Sequence, residues 1–134
     1  MKEFDKVAII SNNRWEWAAI AAASYSINTT LVPMYEAQLA GDWTYILNDS
    51  GASAVFCATE DIFARVQKEV LPSTPSVKAS VCLNAPAEKP YAFESILESS
   101  NPDIDGSLIT LPTEEDLANL IYTVRSCRPS VYFQ

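Results

Sequence analysis

The chain has 134 residues, enough for one domain with a single core and too few for two ordinary ones. Hydrophobic residues make up 49% and charged residues 19%, a globular composition that excludes a disordered chain. Acidic residues outnumber basic ones 17 to 9, and the resulting charge of −8 excludes general binding to nucleic-acid backbones or anionic lipid.

Val7-Ala8-Ile9-Ile10 is a short continuous apolar run, long enough for a strand covered on both faces. Asn13, three residues before Glu16, reads as the start of a capping box for an Ala-rich helix over 14–26. Thr29–Pro33 predicts a second strand ended by its proline. Together these segments form a strand–helix–strand unit, which implies a parallel pair with a crossover helix. Asp42 can cap the next helix, with Trp43, Ile46 and Leu47 on one face and Gly51 placed to end it. Ala54–Ala58 is another buried-strand run. Thr59 can cap a helix over Glu60–Leu71, in which Ile62, Val66 and Val70 share a face and Pro72 stops the chain. Val77, Ala79 and Val81 alternate as a strand, and Phe93, Ile96 and Leu97 suggest a short helix. Ser99–Thr113 is a polar connection, and Leu117–Thr123 reads as a last strand near Leu120–Tyr122. Strands alternating with helices predict an α/β fold, a mostly parallel open sheet with flanking helices.

Few residues can carry chemistry. His is absent, which removes Ser–His and Cys–His pairs. Gly occurs only at positions 41, 51 and 106, so no Gly-rich phosphate loop can form. Cys57 and Cys82 lie in apolar runs and read as buried hydrophobes; with Cys127 they make neither a disulfide framework nor a metal motif. That usage suits a reducing, cytoplasmic setting. The charged start Met1–Lys6 is no signal peptide, and no apolar stretch is long enough to span a membrane. Glu114-Glu115-Asp116 reads as a solvated turn, because adjacent carboxylates on an extended segment point to different faces. Trp15 and Trp17, two apart on a helix, divide between surface and core. Asn12-Asn13 sits where an open α/β sheet can bind a ligand, although capping is the simpler reading.

Four runs together resemble the AMP-forming adenylating enzymes, and within them the long-chain acyl-CoA synthetases. They are Asp5–Trp17, Leu31-Val32-Pro33-Met34-Tyr35-Glu36, Tyr45–Ala52 and Asp116–Thr123, in the family's order and spacing. The resemblance implies that residues 1–123 are part of the N-terminal subdomain of such an enzyme. It implies a parent reaction in which ATP activates a fatty acid to an acyl-adenylate, which then acylates CoA. In this family the Tyr-Thr strand runs into a loop of Ser, Gly, Thr and Lys that wraps the ATP phosphates. Here Tyr122-Thr123 is followed by Val124-Arg125-Ser126-Cys127 instead. Thr123 is therefore the single cofactor-binding position carried over. No catalytic residue or metal ligand is expected, and ATP, magnesium and CoA belong to the parent family. Residues 124–134 are expected to be an aberrant, disordered tail, from an unspliced intron or a frameshift. The chain is expected to be inactive by itself. The alternatives are a non-enzymatic module that pairs with a full-length homologue, or a flavodoxin-like mononucleotide binder; the missing phosphate turn after the first strand counts against the latter.

Overall fold

The computed structural model describes residues 5–100, 109 and 111–123. Four strands form one wholly parallel sheet: β1 (Lys6–Ile10), β2 (Thr30–Met34), β3 (Ala54–Cys57) and β4 (Ala79–Cys82), in the order β2-β1-β3-β4. The connections carry α1 (Trp15–Ser26), α2 (Ala40–Ser50) and α3 (Glu60–Arg65), and α4 (Phe93–Ser99) follows β4. The α/β expectation is therefore met.

Alternation along the strands divides the core in two. Ala8, Ile10, Val32, Val55 and Cys57 face α2 and α3, where Trp43, Ile46, Leu47 and Ile62 meet them. Val7, Ile9, Leu31 and Val81 face the opposite way, toward Ile20 and Ala21 of α1 and Phe93 of α4. Residues one apart on a strand point to opposite faces, so strands covered on both sides must be apolar throughout. This is why the runs in β1 and β3 show no alternation of polarity.

Several expected details are corrected. Asn13 does not cap α1: the cap position is Arg14, which makes no side-chain capping bond. Glu16 instead accepts from Nε and Nη2 of Arg14, a charge-assisted fork that outcompetes a single backbone amide. Asp42 lies inside the first turn of α2, which begins after Leu39, and its carboxylate accepts from the Leu39 N–H at 3.2 Å. Pro33 lies within β2 and Met34 ends it. The helix expected over Glu60–Leu71 changes pitch: α3 gives way to a π turn at Val66–Val70 and a 3₁₀ turn at Leu71–Ser73. Apolar residues spaced by four drift around an ideal helix of 3.6 residues per turn, and the wider turn takes up that drift. Val66 and Val70 are both fully buried.

The last expected strand is also corrected. Residues 117–123 make an isolated parallel bridge, Leu31 to Asn119, rather than a strand. Leu31 donates to the Ala118 carbonyl and accepts from the Leu120 N–H, both at 2.9 Å. The next donor on that side of β2 is the nitrogen of Pro33, which carries no hydrogen, so the ladder stops.

Other expectations hold. Thr59 Oγ1 accepts from the Ile62 N–H, capping α3. Gly51 ends α2 in the left-handed region at φ 67°. One helix end was not foreseen. Asn28, at φ 51°, closes α1: its N–H donates to the Tyr25 carbonyl and that of Thr29 to the Ser24 carbonyl. This is the paired bonding of a Schellman motif, with Asn in the place Gly usually takes. The expectations for Gly106, Cys127 and residues 124–134 lie outside the described residues.

Candidate functional site

β1 leads to β2 on one side and has β3 on the other, so the sheet changes winding direction between β1 and β3. The carboxyl ends of strands at such a point are where open α/β sheets form ligand crevices. Here that rim is closed by its own side chains. Arg14 forks onto Glu16 and donates from Nη1 to the Ala58 carbonyl at 3.1 Å, tying the turn after β1 to the turn after β3. The buried Glu16 carboxylate is held below the usual range, chiefly by the Arg14 hydrogen bonds, and Arg14 is raised for the same reason. Asn12 and Asn13 are exposed, and the Asn12 N–H donates to Glu36 Oε1 at 2.7 Å. An Arg two residues before a Glu at a helix start is the signal that could have found the Arg14–Glu16 pair.

Thr123, the carried-over nucleotide-site position, is exposed, in the chain that follows the bridge between Leu31 and Asn119. Tyr25 donates to Asn119 Oδ1 and Thr30 to the Leu117 carbonyl, both at 2.8 Å, fixing that segment to the edge of β2. Tyr122 beside it donates to Asp49 Oδ2 at 2.6 Å and packs edge-on against Tyr45. Burial first, and then the Asp49 carboxylate, raise the Tyr122 phenol. A carboxylate and two tyrosine rings are not a set of donors that would cradle phosphate, and among the described residues beside Thr123 the chemistry does not fit ATP and magnesium. Among the described residues no group of three or more His, Cys, Asp or Glu side chains converges.

Glu114 and Glu115 are exposed, as a solvated turn requires. Asp116 closes that turn by accepting from the N–H and hydroxyl of Thr113, which hold its carboxyl below the usual range. Trp15 is on the surface and Trp17 packs against the core, the division expected of that pair. Between α1, α4 and the sheet lies an apolar groove of about 210 Å³, walled by Val7, Ile20, Phe56, Phe93, Ile96 and Leu97. It offers no reactive group. Among the described residues no helix is long and apolar enough to cross a membrane.

Residues 1–124 match the family described as AMP-binding enzymes. A long-chain-fatty-acid–CoA ligase, FadD15 of Mycobacterium bovis, is 30% identical over 123 residues, covering 89% of this chain and 20% of that protein. FadD15 of Mycobacterium tuberculosis matches equally. The crystal structure of FadD1 from Archaeoglobus fulgidus, a long-chain-fatty-acid–CoA ligase, superposes with a TM-score of 0.80 at 19% identity. It covers 98% of this chain and 25% of that one. The N-terminal domain of FACL13 from Mycobacterium tuberculosis gives 0.79 at 17% identity, covering 99% and 31%. At those identities the superpositions speak to the fold. The chain spans about a fifth of the length of its curated relatives.

Proposed function

We infer, for a chain that belongs to the AMP-binding enzyme family, that it supplies scaffold and not chemistry. The proposed parent activity is ATP-dependent activation of a fatty acid to its acyl-adenylate and then to acyl-CoA, with magnesium and CoA as the further requirements. Residues 1–123 are proposed as part of the N-terminal subdomain of that enzyme. Thr123 is proposed as the one position that borders the nucleotide site. The single observation that carries the inactivity of this chain is the state of its polar groups. Arg14, Glu16, Asp49 and Tyr122 are each engaged with one another or with backbone, and Thr123 leads into Val124-Arg125 rather than a Gly-rich loop. Phosphoryl and adenylyl transfer depend on positioned donors and a metal. The purified chain, incubated with ATP, magnesium and palmitate, should give no pyrophosphate exchange above a protein-free blank. Robust exchange would refute the inactivity.

A second reading, pairing with a full-length relative, is favoured by the exposure of Trp15, Ile96 and Leu97 beside the α1/α4 groove. Immobilised chain should then retain a full-length ligase, and the Leu97→Asp variant should not. Residues 124–134 are proposed to be dispensable for folding. A chain ending at Thr123 should melt within a few degrees of the full chain.

A further inference from the structure

We propose that Cys57 and Cys82 form a redox modification site, a dithiol pair that a hydroperoxide converts reversibly to a disulfide joining β3 to β4. The two residues are register partners on adjacent parallel strands. Val81 and Leu83 face the α1/α4 side, so Cys82 between them must face the other way. Cys57 lies on that same side, among Ile62, Val66 and Val70, and Phe63 packs against both cysteines' clusters. Neighbouring strands are about 4.8 Å apart, within the span of about 4.4–6.8 Å that a disulfide bridges between Cα atoms.

The closed sheet protects both sulfurs. Each residue is fully buried, and burial pushes the Cys57 thiol up to about 12 and raises Cys82. Thiolates are the reactive form, so neither reacts in place. Access comes through β4, a four-residue strand laddered to β3 on one side and, among the described residues, held on the other by the isolated bridge from Cys82 to Ala92. Beyond the pairing with β3, Cys82 is tied by its N–H to the Tyr91 carbonyl at 2.8 Å and by its Sγ–H to Asn84 Oδ1 at 3.5 Å. Short edge elements open at lower cost than the whole fold, which exposes Cys82 first.

Cys82 as thiolate then attacks a peroxide oxygen. The O–O bond breaks, sulfur is oxidised to sulfenic acid, and the departing alkoxide takes the thiol's proton to become an alcohol. While β4 is still open and Cys57 is exposed to solvent, the Cys57 thiolate attacks the Cys82 sulfur. The S–S bond forms, the S–O bond breaks, and water leaves with the Cys57 proton. A small dithiol reverses the change by exchange.

The test uses the full chain carrying Cys127→Ser, reduced and then treated with hydrogen peroxide in native buffer. Intact mass should fall by two hydrogens, and peptide mapping should join the fragments holding Cys57 and Cys82. The melting temperature should rise by several degrees and return after dithiothreitol. The wild-type chain, mapped in the same way, should give the same linkage, so the result does not depend on the variant folding. Cys57 and Cys82 both recovered as free thiols would overturn the proposal. So would a linkage that forms as fast in the urea-unfolded chain, since strand register would then contribute nothing.

Discussion

The two faces of the sheet are built to different degrees of completion. On the α2/α3 face Trp43 is 0% exposed; its indole donates to the Tyr35 carbonyl at 3.1 Å, and the Arg65 guanidinium lies 4.6 Å from its ring centroid. Every direction around that ring is occupied. On the α1/α4 face Trp15 is 66% exposed and Leu97 49%, and an apolar groove separates the helices. Hydrophobic burial scales with the area removed from water. The first face therefore carries most of the fold's stability, and the second leaves apolar surface in contact with water.

The largest effect that could break this contrast is at Trp43. Trp43→Ala removes the buried ring, its hydrogen bond and the cation–π contact, and should cost about 3–5 kcal/mol in urea unfolding. A loss below about 1 kcal/mol would mean that the closed face is not the stabilising one.

Next comes the link across the carboxyl rim. Glu16→Ala leaves the half-buried Arg14 without its carboxylate, keeping the Ala58 carbonyl as an acceptor, and should cost about 2 kcal/mol. The sign of the pH effect follows from the lowered Glu16 carboxyl. Its contribution is present above the unfolded carboxylate value of about 4.3 and is lost as pH falls through the depressed folded value. Thermal melts of the native chain should therefore decline in acid more steeply than those of Glu16→Ala. Parallel curves would show that the pair is not linked to folding.

Asn28 sharpens the same comparison at a helix end. Asn28→Val forces a β-branched residue to positive φ and should cost about 1–2 kcal/mol, whereas Asn28→Gly should stay within a few tenths. Equal losses in the two variants would place the effect in the side chain and not in the backbone conformation.

Sequence patterning made the sheet and the α2/α3 face legible because those segments answer mainly to burial. Trp43, Ile46 and Leu47 repeat at helical spacing, and Val55 and Cys57 sit in an unbroken apolar run. Pattern failed where one polar contact competes with another. Asn13 and Glu16 have capping-box spacing, yet Arg14 takes the Glu16 carboxylate, a choice made only once the β3 turn offers Ala58 as a second acceptor. Leu117–Thr123 has strand composition, but its pairing depends on a partner almost ninety residues earlier, where Pro33 withholds a donor. The bond between Tyr122 and Asp49 showed least. Asp49 and Tyr122 are 73 residues apart, and no local spacing announces their hydrogen bond. Tyr122→Phe removes that exposed bond and should cost about 0.5–1 kcal/mol. Hydrogen exchange at the Leu31 and Leu120 amides should quicken while the β1 amides hold their protection.

The smallest expected effect is the most informative about the open face. Leu97 lies in the last turn of α4, half out in solvent at the lip of the groove. If the face is unfilled in the isolated chain, Leu97→Ser exchanges one solvated side chain for another. Its effect on stability should stay within about 0.5 kcal/mol in either direction. The substitution also removes apolar surface that favours self-association, so light scattering at high concentration should fall even though the melting temperature does not. A loss above about 1 kcal/mol would mean that Leu97 is covered in solution by this chain or a second copy. Melting at two protein concentrations separates those cases, since only an intermolecular cover makes the transition depend on concentration.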